Sequence, residues 1–333
     1  MRRNDRIALL LALAFLLAGA ASLLFGAGDV SPSALIRAMF GGERESVAAR
    51  IFWFVRLPRA LAAMLAGAAL SVSGLLLQAV LRNPLAAPGV IGVNAGAGLC
   101  VLIGAVMLPN AVRWTPLLAF AGACASAFAV YLIARLTGAS RNTLVLAGVA
   151  VNTLLGACMD AIVTFYPSAL VNRSTFSIGG FANVTMRQLA FAAPMVVLGL
   201  LLAAIFHREA EIMALGDDVA ESLGVHVERC RALFLIVAAM LAGAAVSFAG
   251  LLSFVGLIAP HMARIICRHD ARLRTTITAL LGAVLCLVCD LAARTLFAPY
   301  ELPVGIVLSF IGAPFFLYLM LHQRKRGRHA AID

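Results

Sequence analysis

The sequence contains a single lysine, Lys325, among 333 residues. A P-loop needs a Gly-Lys-Ser/Thr core, because its lysine reaches the nucleotide phosphates. Lys325 follows Arg324 in a basic tail, so this chain has no Walker A site. No HExxH pair and no GxSxG elbow occur either, which removes zinc-peptidase and elbow-hydrolase chemistry. Charge is scarce, at 12% of residues. Six histidines are scattered without a metal-ligand cluster, and a lone one such as His261, after Pro260, is more often satisfied locally than a ligand.

Apolar residues fill the chain instead. They make up 63% of it, with a mean hydropathy of +1.01, where soluble domains are roughly half apolar. Long apolar runs recur throughout, which reads as an all-α integral membrane protein. Ten spans of about 17–23 residues fit the pattern: 7–27, 60–81, 90–108, 115–136, 143–165, 189–206, 230–249, 252–268, 276–296 and 303–322. The eighth is short and holds Pro260. The first follows Arg2, Arg3 and Arg6 and is too long for a typical signal-peptide core, so it reads as an uncleaved span.

The net charge of +11 does not point to nucleic acid, because the bases are scattered between spans and not gathered on one soluble face. With the N-terminus inside, 17 of the 26 Lys/Arg fall on the cytoplasmic side and 9 outside. That asymmetry supports cytoplasmic N- and C-termini. The seven cysteines lie within or beside apolar runs and form no disulfide framework. Cys286 and Cys289 make a CxxC whose simplest reading is helix packing, because free cysteine behaves as a small hydrophobe.

The stretch Arg56–Gly98 is a membrane hairpin: two arginines, an apolar run rich in small residues, the turn Arg82-Asn83-Pro84, and a second apolar run after Pro88-Gly89. It is echoed 176 positions on. Ala66–Leu76 (AGAALSVSGLL) aligns with Ala242–Leu252 (AGAAVSFAGLL), eight of eleven positions identical, and Pro84 falls on Pro260. An internal duplication follows. Glycines at helix-neighbour spacing in these runs let helices approach closely in lipid.

Polar features within this frame mark candidate sites. Arg56 and Arg59 stand at the outer mouth of the second span, either as interfacial anchors or as a docking site for an acidic partner. Segment 28–55 lies outside, with Ser31-Pro32 opening a short helix that carries an apolar side (Ala34, Leu35, Ala38, Met39, Phe40) and lies on the membrane. In the fifth span Thr153, Gly156, Asp160 and Thr164 share one helical stripe. Asn152 is at its edge, and Asn142 and Thr143 sit at the inner mouth. The stripe either packs between helices or lines a permeation path. Asp290, the other acid within a span, pairs with Arg294 four residues on. Segment 166–188 is external, and Ser177–Asn183, with adjacent glycines, suits a short movable helix.

The longest inner stretch is 207–229. Ile212, Leu215, Val219 and Leu223 form one apolar stripe, with Asp217, Asp218 and Glu221 opposite. Gly216 breaks the stretch, Asp217 starts the second helix and Gly224 stops it. Membrane-surface helices usually carry basic residues on their polar face. An acidic one favours a protein groove.

Several stretches together resemble one family, the permease subunits of bacterial ABC importers for iron–siderophore complexes, haem and cobalamin. They are Arg56-Leu57-Pro58-Arg59, Arg82-Asn83-Pro84-Leu85-Ala86 with Pro88-Gly89, Ala214-Leu215-Gly216 leading to Leu223-Gly224, Gly250–His261, and Glu301-Leu302-Pro303-Val304-Gly305 with Gly312-Ala313-Pro314. They run over most of the chain. The resemblance implies a single permease domain over 1–333 of about ten helices, with spans 2–5 and 7–10 related by inversion. It also implies a second permease subunit, homo- or heterodimeric, with the translocation path between the two. Two ATP-binding-cassette ATPases would dock on the coupling segment 207–229 and hold the ATP and Mg, leaving this chain without a cofactor, metal or catalytic residue. A periplasmic or lipid-anchored binding protein would meet Arg56, Arg59 and Arg294 from outside. The expectation is therefore a multi-pass permease of the bacterial inner membrane, moving a ferric siderophore, or else haem or cobalamin, by alternating access. The rival is an ion-coupled secondary transporter, for which only Asp160 and Asp290 are available as midplane acids.

Overall fold

The computed structural model describes residues 3–26, 30–39, 46–108, 114–138, 141–267 and 271–329. Among them there is no β-strand, as a chain in hydrocarbon requires, because an open strand would leave backbone polar groups without partners. Seven helices are long and apolar enough to cross a membrane: α1 (Arg3–Leu24), α4 (Leu57–Val80), α6 (Thr115–Leu136), α7 (Arg141–Phe165), α9 (Met186–Ile205), α12 (Val227–Ala249) and α14 (Ala271–Thr295). Three shorter apolar helices complete the set, α5 (Val93–Met107), α13 (Val255–Ile266) and the apolar part of α15 (Val304–His329). Each overlaps one expected span.

Short helices join them. They are α2 (Pro32–Met39), α3 (Val47–Ile51), α8 (Leu170–Ile178), α10 (His207–Leu215) and α11 (Asp217–Ser222). Leu35 and Ala38 give α2 a buried side, while Met39 stays exposed. Phe40 lies outside the described residues.

The helix pairings repeat. α4 packs on α14 as α12 packs on α6, α5 meets α6 as α13 meets α14, and α4 and α12 pack on each other. Each half thus lends its first helix to the other, as an inverted repeat requires. The core runs continuously from Ala60 to Leu308 and is dominated by alanine, valine and leucine. Cys286 and Cys289 pack within it.

The duplicated segment does different work in its two copies. In the first, α4 runs on through Gly74, whose missing side chain admits α13; a Cβ there would stand 2.0 Å from the Gly256 carbonyl oxygen. In the second, α12 ends at Ala249 and Gly250 turns the chain with φ +67°, a region open mainly to glycine. Pro84 accordingly lies in a turn and Pro260 inside α13.

One expectation is corrected. The second span does not open at Arg56 and Arg59. Helix continues back from α4 through a π turn, Phe52–Arg56, into α3. Both arginines are therefore inside a helix and buried, at 4% and 6% exposure. Arg59 is met there by acids from elsewhere in the fold and Arg56 by a backbone carbonyl.

Candidate functional site

Polar chemistry gathers at three places. The first is where the start of α4 meets the end of α14. Arg59 Nε donates to both Asp290 carboxylate oxygens at 3.0 Å, and its Nη1 donates to Glu301 Oε2 at 2.7 Å. Arg294 Nε stands 3.6 Å from Asp290 Oδ2, and its Nη2 donates to the Ser22 carbonyl and hydroxyl at 2.6 and 2.7 Å. Arg56 Nη1 donates to the Leu23 carbonyl at 3.2 Å. Asp290 is fully buried and Arg294 2% exposed. The expected Asp290–Arg294 pair is present, but Asp290 sits closer to Arg59, and the arginines bind α1 and α14 to α4. None of the three turns a free guanidinium outward; Glu301, about one-third exposed, is the network's rim.

The second place is α7. Asn142, Thr153, Asp160 and Thr164 lie on its exposed side. Thr143 is half-buried. Asn152 turns inward and donates to the Gly89 carbonyl at 2.8 Å, so it fastens α7 to the turn before α5 and does not extend the exposed stripe. Asp160 pairs with Arg173 on α8, a partner that spacing alone could not show. Behind this pair a cavity of about 290 Å³ lies between α5, α7 and α8, lined by Asn94, Asn152, Met159, Arg173, Phe176 and Ser177. The end of α8 is held by backbone bonds: Gly180 N–H to the Ala249 carbonyl at 2.8 Å, Leu251 N–H to Phe176 at 2.9 Å, and Gly305 N–H to Gly179 at 3.4 Å. The short helix after the fifth span is thereby tied to the end of α12 and the start of α15.

The third place is the segment of α10 and α11 between α9 and α12. Gly216, at φ +136°, separates α10 from α11, Asp217 opens α11, and Gly224 follows it at φ +80°. Met213 and Ala220 are buried and Ile212 packs against the core. Leu215, Val219 and Leu223 are exposed at 60%, 43% and 59%, an apolar stripe left open by the described residues. Of the opposite acids, Asp218 and Glu221 are exposed, whereas Asp217 is half-buried and turned toward neighbouring helices. Its Oδ1 lies 2.7 Å from Arg141 Nη2 of α7, and its Oδ2 accepts from Arg231 Nη2 of α12 at 3.0 Å. Glu211 of α10 likewise pairs with Arg274 of α14. Arg141, Arg173, Arg231 and Glu301 were not readable as site residues, because each partner is remote in sequence. No group of three or more possible metal ligands occurs among the described residues.

Known proteins are similar to this chain over most of its length. The profile of the FecCD transport family matches residues 11–322. The achromobactin transport system permease protein CbrC of Dickeya dadantii is 38% identical over 328 residues, covering 96% of this chain and 91% of that protein. The hemin transport system permease protein HmuU of Yersinia pestis is 34% identical over 333 residues, covering 97% and 99%. The cobalamin import system permease protein BtuC of Halobacterium salinarum is 39% identical over 275 residues, covering 82% and 74%. Among solved structures, a metal-chelate type ABC transporter in an inward-facing conformation superposes with a TM-score of 0.81 at 25% identity, covering 96% of this chain and 99% of that one.

Proposed function

This chain belongs to the FecCD transport family, and we infer from that membership that it is the membrane-spanning permease subunit of a binding-protein-dependent ABC importer. The match to permease subunits along nearly the whole chain carries the reading. It resides in the bacterial inner membrane with both termini cytoplasmic. A second permease subunit covers the exposed side of α7, so Asn142, Thr153, Asp160 and Thr164 face a path between the two. ATP and Mg sit on two partner ATPases, which close on ATP binding and push on α10 and α11. The stripe Leu215, Val219 and Leu223 enters a groove on the ATPase, where burying each side chain contributes about 1.5–3 kcal/mol.

The binding protein approaches the outer face near Glu301. An acidic residue from it reaches Arg59 by competing with Glu301, since the other contacts of Arg59 are internal. The cargo is a ferric siderophore, with haem next and cobalamin after it. An already chelated metal needs no ligand cluster on the permease.

The test is reconstitution of the permease with its co-purifying ATPase, offering ferric siderophore, haem and cobalamin with their binding proteins. Uptake with stimulated hydrolysis for one of them names the cargo. Uptake that follows an ion gradient without an ATPase would establish the secondary transporter instead.

A further inference from the structure

We propose that Asp217 is a positioning residue that transmits movement of the coupling segment to the path-facing helix α7 through Arg141, with Arg231 as its fixed anchor. The proposal rests on the importer reading above and assigns it a specific link.

The geometry sets one carboxylate between two guanidinium groups on different spans. Asp217 Oδ1 is 2.7 Å from Arg141 Nη2 and Oδ2 is 3.0 Å from Arg231 Nη2. The two arginines differ in their surroundings. Arg231 is 7% exposed and sits in α12, one of the most enclosed helices, which packs on α4, α6 and α9. Arg141 is the first residue of α7, a helix whose buried residues are Leu144, Ala147 and Gly148 near that same end. The rest of α7 is largely exposed. A displacement of the coupling segment therefore meets an enclosed helix on one side and, on the other, the packed end of a helix whose remaining length is largely exposed.

The sequence arranges this locally. Gly216 interrupts the helix, so the first turn of α11 starts in a new direction and Asp217 points back toward the spans. The Arg82 guanidinium lies where a side chain on Gly216 would stand, its Nη1 3.1 Å from that position. The break is thus packed against the inner turn after α4. An acid at this position makes two different contacts: its Oδ2 accepts a charge-assisted hydrogen bond from Arg231, and its Oδ1 stands in a close ion pair with Arg141.

The test uses the full permease–ATPase complex in proteoliposomes, comparing hydrogen exchange without nucleotide and with ATP and vanadate. In the wild type, peptides over α10 and over 141–150 both respond to nucleotide. With Asp217→Asn, and separately Arg141→Gln, the ATPase stays bound and α10 still responds. The response of 141–150 falls at least about fivefold, the lower end of ordinary coupling between sites. Asp217→Glu restores part of it. The double variant Asp217→Asn, Arg141→Gln is no worse than either single one, because both remove one interaction. An intact complex in which 141–150 responds as in the wild type overturns the link alone. A wild-type chain that brings down no ATPase overturns the importer reading and the link with it.

Discussion

Asp290 and Asp217 make the same arrangement in opposite surroundings. Each carboxylate stands between two arginines from different parts of the fold, Arg59 and Arg294 for the first, Arg141 and Arg231 for the second. Asp290 is fully enclosed among spans, whereas about one-third of Asp217 faces solvent. In hydrocarbon an unpaired charge has nowhere to go, so the outer set is a lock that loses its partners only if the fold opens. Asp217 by contrast is partly open to solvent, which screens its pairs and makes them weaker. Identical chemistry gives a fixed joint at one end of the molecule and a yielding one at the other.

The sharpest way to break the contrast is Asp290→Asn. It leaves Arg59 and Arg294 enclosed with too little negative charge, and breaking one partner of a buried pair costs about 3–5 kcal/mol. The expected outcome is loss of most folded protein from the membrane, or a large drop in melting temperature in detergent. A variant that accumulates and melts like the wild type would show that water reaches this site. Next comes Glu301→Gln. Arg59 keeps both bonds to Asp290 and the exposed rim solvates what Glu301 vacates, so the loss is about 1 kcal/mol. Thermal melting of the two variants side by side should rank them clearly.

This contrast also marks what could be read from residues in order. All ten apolar runs were legible because hydrocarbon imposes a length, and each described helix overlaps its run. The break at Gly216 was legible because glycine, acid and a repeating apolar stripe lie within a few residues of each other. The outer lock was only half legible. Arg294 is four residues from Asp290, one helical turn, while Arg59 is 231 residues away and no periodicity connects them. For the same reason Arg56 and Arg59 read as the end of a span: two charges interrupt an apolar run, and only the folded partner explains why the helix continues back to Val47. The acids of the inner segment invited a reading as one surface, yet Asp217 is turned toward the chain's own arginines while Asp218 and Glu221 stay exposed. The duplicated run misled in a smaller way, since Gly74 and Gly250 are equivalent in sequence but are used for helix contact in one copy and for a turn in the other.

Salt sharpens the comparison at smaller magnitude. The Debye length falls from about 30 Å at 0.01 M to about 3 Å at 1 M, which screens Asp217 and leaves Asp290 untouched. Asp217→Asn is expected to lower stability by less than about 1 kcal/mol, and that difference should shrink as salt rises. The Asp290→Asn deficit should not change. Melting both variants at low and high salt checks this, and a salt-independent Asp217 deficit would place that carboxylate in the lock class.

The smallest stability effect belongs to Asp160. Its side chain is 67% exposed in the single chain and its partner Arg173 32%, so Asp160→Asn removes a pair of the kind that contributes about 0.2–1 kcal/mol. Melting should barely move. The consequence for transport is separate, because Asp160 is the acid on the exposed side of α7 and its partner belongs to α8, which is tied to α12 and α15. Removing the carboxylate both changes the charge of the proposed path and releases Arg173 into it. Uptake is therefore expected to fall severalfold in Asp160→Asn and Asp160→Ala alike, with normal protein levels in the membrane. If both variants transport as the wild type does, the exposed stripe is a packing surface for the second subunit and the path lies elsewhere on α7. If Asp160→Ala falls and Asp160→Asn does not, polarity rather than charge is what the path requires. Arg173→Gln then separates the two consequences, since it removes the released cation while leaving the Asp160 carboxylate in place.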